Sequence, residues 1–219
     1  MEKLKSIDNV LKFIKDGSVL MIGGFLGVGA PDTLIDGLIK KDVKDLTLIV
    51  NDTAFENKSY GKLIANKQVS KVYTSHIGTN KETGRQMNAG EIDINLIPQG
   101  TLIEQIRAQG AGLGGVLTPT GVGTMVEDGK KTIELQGEKY IIELPLEADF
   151  ALVKAYKSDE SGNLIYDKSA RNFNPIIAMA AEQVIVETDE IVKNGDIDPN
   201  NVDTPHIFVD YIVKGGADE

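Results

Sequence analysis

Three sets of residues have types and spacings that could do chemistry. The first is the loop Gly24-Phe25-Leu26-Gly27-Val28-Gly29-Ala30, which follows the apolar run Val19, Leu20, Met21, Ile22 and precedes Pro31. A buried strand entering a loop of small residues, with Pro at the first helical position, exposes backbone N–H groups at a helix N-terminus, where an anion can bind. The loop has no Gly-Lys-Ser/Thr, so it is not a Walker A loop. Gly27-x-Gly29 matches half of a dinucleotide fingerprint, and Asp52 lies about where a ribose-binding acid belongs. The third position, however, is Asp32, which would crowd the helix–strand contact. The second set is Pro98-Gln99-Gly100, just past a strand. An amide N–H₂ aimed at a developing oxyanion stabilises acyl-transfer transition states, whereas a glutamine at this place, taken by type alone, reads as a helix cap. The third set is the isolated polar groups. His76 and His206 end and begin strands and read as structural histidines, and Ser158-Asp159-Glu160-Ser161-Gly162-Asn163 reads as a turn. No Cys is present, and no His/Asp/Glu cluster has ligand spacing, so no metal site is expected.

The elements that must position these groups follow from periodicity. Ile7, Val10, Leu11 and Ile14 recur at helical spacing before Asp16-Gly17. Strands are predicted at 18–22, 46–50, 71–77, 94–97, 150–156, 183–187 and 206–213. Helices are predicted at 31–41, 57–67, 101–109 and 174–181, with 83–90 helical or looped. This alternation predicts an α/β fold: a mainly parallel sheet with crossover helices. Residues 111–124 read as a Gly- and Thr-rich loop, and 132–144 as a β-hairpin insertion turning at Gln136-Gly137. With no repeat and no low-complexity linker, residues 1–219 are expected to form a single domain.

The 219 residues are 41% hydrophobic and 26% charged, as in ordinary soluble domains. The formal charge of −10, with no cluster of Lys or Arg, argues against nucleic acid. It also requires that any phosphate-bearing ligand be met by backbone N–H groups or by a partner's cations. No apolar run is long enough to span a bilayer. The N-terminal segment mixes acids and bases unlike a secretion signal, so the cytoplasm is the expected location.

The segment DGSVLMIGGFLGVGAP (16–31) closely resembles the glycine-rich signature of family I CoA-transferases, in their α subunit, matching at Asp16, Gly17, Gly23, Gly24, Phe25, Gly29 and Pro31. Further ordered blocks resemble the same family: NDT at 51–53, IPQGTLIEQIRAQGAGLGGVLTPTGVGT at 97–124 and RNFNPIIAMAAEQVIVE at 171–187. The resemblance implies a CoA-transferase-like fold and transfer of CoA from a short-chain acyl-CoA to a free carboxylate (acetate, butyrate or acetoacetate). In that family a glutamate attacks the thioester, forming an acyl-glutamyl anhydride and then a glutamyl-CoA thioester. The family carries the glutamate in a β subunit, within Ser-Glu-Asn-Gly. That motif is absent here, so a β-subunit partner in an α2β2 or larger assembly is implied. No permanently bound cofactor is implied, since the CoA thioester is a substrate. Gln99 maps onto the family's oxyanion-donating glutamine, and residues 24–30 onto the CoA-side wall. Gly110, Gly112, Gly114, Gly115 and the TPTGVGT loop are expected to border the carboxylate pocket. Two alternatives stand beside this reading: an NAD-dependent oxidoreductase using Gly27, Gly29 and Asp52, and a non-catalytic ligand sensor of similar fold.

Overall fold

The computed structural model describes residues 3–216. After helix α1 (Ile7–Leu11), β1 (Val19–Ile22) is followed by α2 (Asp32–Lys41), β2 (Leu46–Ile49), α3 (Gly61–Ala65), β3 (Val69–Thr74), α4 (Lys81–Asn88), β4 (Asp93–Leu96) and α5 (Gln99–Gly110). Three short strands follow, β5 (Val116–Thr118), β6 (Thr132–Leu135) and β7 (Glu138–Glu143), and then β8 (Ala148–Asp159), β9 (Leu164–Ile165), α6 (Asn174–Ile177), β10 (Ala181–Val192) and β11 (Tyr211–Lys214). The main sheet has the order β11-β10-β8-β1-β2-β3-β4. These seven strands are all parallel; only β9 joins antiparallel, at the end of β8.

Both faces of the sheet are covered, and so β1 is an unbroken apolar run rather than an alternating one. Side chains still alternate in direction along it. Leu20 and Ile22 join a core with Val10, Leu34, Leu38 and Leu63 from the helices on one face. Met21 joins Leu102, Ile106 and Ile177 on the other. From β1 the chain steps outward through β2, β3 and β4, and it later resumes on the opposite flank of β1 with β8, β10 and β11. The reversal lies between β1 and β8, and a crevice at the carboxyl ends of strands forms at such a switch point. The glycine loop leaves β1 there.

The β-hairpin insertion is present as a three-stranded antiparallel sheet, order β5-β7-β6. Gln136 and Gly137 both have positive φ, 54° and 81°, the pair of values a two-residue type I′ turn needs. Several element bounds differ from expectation. Residues 55–60 fold back before α3, bringing the Gly61 backbone so close to Phe55 that a Cβ would lie 2.1 Å from its carbonyl oxygen. The helix expected at 174–181 stops at Ile177, and Ala181 already pairs with Ala148 in β10. Strand pairing in the sheet overrides the helix propensity of the Ala-rich segment. His206–Phe208 is a single 3₁₀ turn rather than strand. Among the described residues no helix is long and apolar enough to cross a membrane.

Candidate active site

The tip of the glycine loop is a tight hairpin of its own. Phe25 and Val28 exchange N–H···O bonds of 3.0 and 2.9 Å, while Leu26 and Gly27 occupy φ of 50° and 84°. Positive φ is unfavourable for Leu, and Asp52 holds it there by accepting the Leu26 N–H at 2.9 Å. From across the sheet, Asn172 accepts the Gly24 N–H at 3.1 Å and donates to the Val28 carbonyl at 2.9 Å. Asn174 donates to the Gly29 carbonyl at 2.8 Å. The missing side chains are explained by this packing. A Cβ on Gly23 would sit 1.9 Å from Asn174 Oδ1, and one on Gly29, at φ 76°, 2.7 Å from Ala170 Cα.

The expectation of many open N–H groups therefore needs correction. The N–H groups of Gly23, Gly24, Phe25, Leu26, Val28 and Ala30 bond within the protein. Gly27 N–H faces the Tyr60 hydroxyl, and Gly29 N–H has no partner among the described residues. The N-terminus of α2 is also taken. Glu187, 2% exposed, accepts from Leu34 N–H, Thr33 Oγ1 and Lys154 Nζ, each at 3.0 Å. An internal carboxylate stands where the loop pattern suggested an anionic ligand, and sequence reasoning missed it because Glu187 reads simply as the end of an apolar strand.

Asp52, 1% exposed, accepts from Leu26 N–H, Asn51 Nδ2, Ala54 N–H and Tyr60 Oη at 2.9, 2.8, 2.7 and 3.3 Å. Burial and the nearby Asp52 push the Tyr60 phenol well above its ordinary value, so it stays a proton donor. Asp52 has no capacity left for a ribose, and the dinucleotide alternative loses its acid.

A cleft of about 390 Å³ is lined by Phe25 and Leu26 from the loop, Asn51 and Asp52 after β2, Ser75, His76 and Thr79 after β3, and Gln99 at the start of α5. The Gln99 side chain is exposed and does not cap α5, whose N-cap is Pro98. Its Nε2 donates to Asn51 Oδ1 at 2.6 Å, so Asn51 is a second polar group that the sequence showed only as part of the NDT block. Gly27, Gly29 and Ala30 instead line a separate cavity of about 520 Å³ with Thr33, Lys154 and Glu187. Gly24 lines neither; a Cβ there would come within 3.2 Å of both Ala30 Cβ and Tyr60 Cε1. Gly110, Gly112, Gly114 and Gly115 also line neither cavity. Residues 158–163 form a turn in which Asp159 Oδ1 accepts from Ser161, Gly162 and Asn163 N–H groups.

Comparison with known proteins supplies the context for this geometry. The chain is 54% identical over 211 residues to the acetate CoA-transferase subunit alpha of Escherichia coli (strain K12), covering 96% of each chain. It is 49% identical over 215 residues to the acetoacetyl-CoA:acetate/butyrate CoA transferase alpha subunit of Clostridium acetobutylicum, covering 98% of this chain and 99% of that one. Among solved structures, glutaconate coenzyme A-transferase from Acidaminococcus fermentans superposes with a TM-score of 0.84 at 20% identity, covering 97% of this chain and 75% of that one. An acyl-CoA transferase from E. coli O157:H7, solved as a thioester complex with CoA, superposes with a TM-score of 0.88 at 23% identity, and this chain spans 48% of its length. These two show the shared fold. The family model described as coenzyme A transferase matches residues 4–215, and with relatives this similar over nearly their whole length, the chain belongs to the coenzyme A transferase family.

Proposed function

We propose that this chain is the α subunit of a cytoplasmic, hetero-oligomeric CoA-transferase, α2β2 or larger. The enzyme exchanges CoA between a short-chain acyl-CoA and acetate, butyrate or acetoacetate through a glutamyl-CoA intermediate on the β partner. The observation that carries the reading is Gln99. Its exposed amide stands at the carboxyl ends of β2 and β3, in a cleft with an apolar wall of Phe25 and Leu26. One amide hydrogen is fixed on Asn51, which orients the other toward the cleft, where the thioester carbonyl would lie. Attack by the partner's carboxylate on that carbonyl breaks its π bond and places negative charge on oxygen. The CoA thiolate then leaves with the C–S bonding pair, giving the anhydride, and reattacks the glutamyl carbonyl to release the free carboxylate. A fixed N–H donor stabilises each oxyanion without reorganising. The hairpin tip, with Phe25 47% exposed, and the Gly29 N–H support a role for residues 24–30 as the CoA-side wall and a contact with the partner subunit.

The test is Gln99→Ala in the complex reconstituted with its β partner. Loss of one oxyanion donor lowers kcat by roughly 10²–10³, with kcat/KM falling in parallel because the bond matters as charge develops. A folded, assembled variant with unchanged kcat overturns the assignment.

A further inference from the structure

The geometry points to His76 as the residue that receives the carboxylate of the acceptor acid in the Gln99 cleft, an inference that rests on the reading of this cleft as the acyl-transfer site. A carboxylate bound there needs N–H or O–H donors, and charge-assisted bonds of this kind are the strong ones. The cleft has few. No Lys or Arg is among its lining residues. Ser75 Oγ donates its hydrogen to the Asn51 carbonyl at 2.6 Å, and Thr79 Oγ1 to the Ala54 carbonyl at 2.7 Å. Asn51 Nδ2 is buried and gives one hydrogen to Asp52 at 2.8 Å, and Asp52 only accepts. Gln99 has one hydrogen on Asn51 and the other for the oxyanion. Among the polar side chains that line the cleft, the exposed imidazole of His76 is the one that makes no hydrogen bond with the described residues.

The ring is placed rather than loose. The His76 backbone carbonyl accepts the Thr53 N–H at 3.1 Å, tying the residue to the end of β2. Its ring lies against Gly78, where a Cβ would come within 2.9 Å of His76 Cε1. Glycine at 78 thus keeps room for the imidazole beside the cleft. Phe25 and Leu26 supply the apolar surface for a short alkyl chain. A small carboxylic acid with a two- to four-carbon body fits this combination of one donor and one apolar wall. A thioester, having no carboxylate, makes no such demand on His76.

Steady-state kinetics of the reconstituted complex test this, with acetate and butyrate varied against acyl-CoA. His76→Phe keeps a ring over Gly78 and removes the N–H. It is expected to raise KM for both acids about tenfold, the effect of one hydrogen bond to a charged group, and to leave KM for acyl-CoA within about twofold. His76→Gln keeps a donor and is expected to hold the acid KM within about threefold of the parent. Unchanged acid KM in His76→Phe overturns the inference, and so does an equal rise in both variants, which would assign the effect to ring shape. Gln99→Ala serves as the reference. If it loses kcat while His76→Phe is silent, only the role of His76 falls; if it keeps full kcat, the reading of the cleft falls.

Discussion

Asn51 is expected to act on Gln99 rather than on a substrate, because it is buried, its Oδ1 accepts from Gln99 and its Nδ2 donates to Asp52. Removing it should free the Gln99 rotamer without removing the donor. Asn51→Ala is therefore expected to lower kcat by less than Gln99→Ala, on the order of tenfold, because a misplaced donor retains part of its effect. The double variant should be no slower than Gln99→Ala alone, since residues acting as one unit are not additive. Additive losses in single-turnover rates would show that Asn51 has a role of its own. Gln99 was legible in the sequence through its block at 97–124, but its partner was not. The 2.6 Å contact joins residues 48 positions apart, and nothing in either segment encodes that two strands' carboxyl ends converge. The place of His76 was hidden for the same reason: as a lone histidine ending a strand it reads like any structural one, and only the sheet order puts it in the cleft with Gln99.

Two aspartates of opposite character flank the loop: half-buried Asp32 at the start of α2 and buried Asp52 just after β2. Burial pushes the Asp32 carboxyl above its ordinary value, Lys62 only partly offsets this, and Asp32 Oδ1 lies buried with no partner. Because folding raises this pKa, the ionised side chain costs stability at neutral pH. That cost shrinks as pH falls through the folded value and is gone below the ordinary one. Asp32→Asn should raise Tm at pH 7 by about 1–3 °C, and the advantage should vanish toward pH 4, as thermal melts across that range would reveal. A variant less stable at pH 7 would contradict the sign. Asp52 is the reverse case. Four donors converge on it, and Asn there would turn an N–H₂ toward backbone N–H groups. Asp52→Asn should destabilise by roughly 2–4 kcal/mol, measured by denaturant unfolding, and release Leu26 from its positive φ. The order of the elements was legible because β1 and β2 are apolar runs bounded by turn residues. The use of Asp52 and Glu187 was not, since an acid after a strand is written the same way whether it meets a ribose or its own loop.

At the scale of the molecule, the cleft has the proposed oxyanion donor, an apolar wall and, among its lining residues, no free carboxylate. Its only carboxylate is Asp52, which is buried under four hydrogen bonds and cannot reach a thioester carbonyl without breaking them. Covalent CoA transfer needs an accessible carboxylate to form the anhydride and then the glutamyl thioester. Nearly the whole chain matches proteins named as α subunits, and the proposed function accordingly assigns that group to a β partner. With a formal charge of −10, this chain repels a CoA diphosphate at long range, so cationic groups of the partner are expected to contribute there too. The chain alone is therefore expected to show no exchange of label between acyl-CoA and acetate, and addition of the β subunit should restore it in proportion to complex formed. Borohydride reduction of the complex after incubation with acyl-CoA, followed by peptide mass mapping, should place the trapped glutamyl thioester on the β chain. Turnover by rigorously purified chain alone, or a trapped glutamate within residues 1–219, would relocate the chemistry to a carboxylate in this subunit and leave Gln99 serving a different nucleophile.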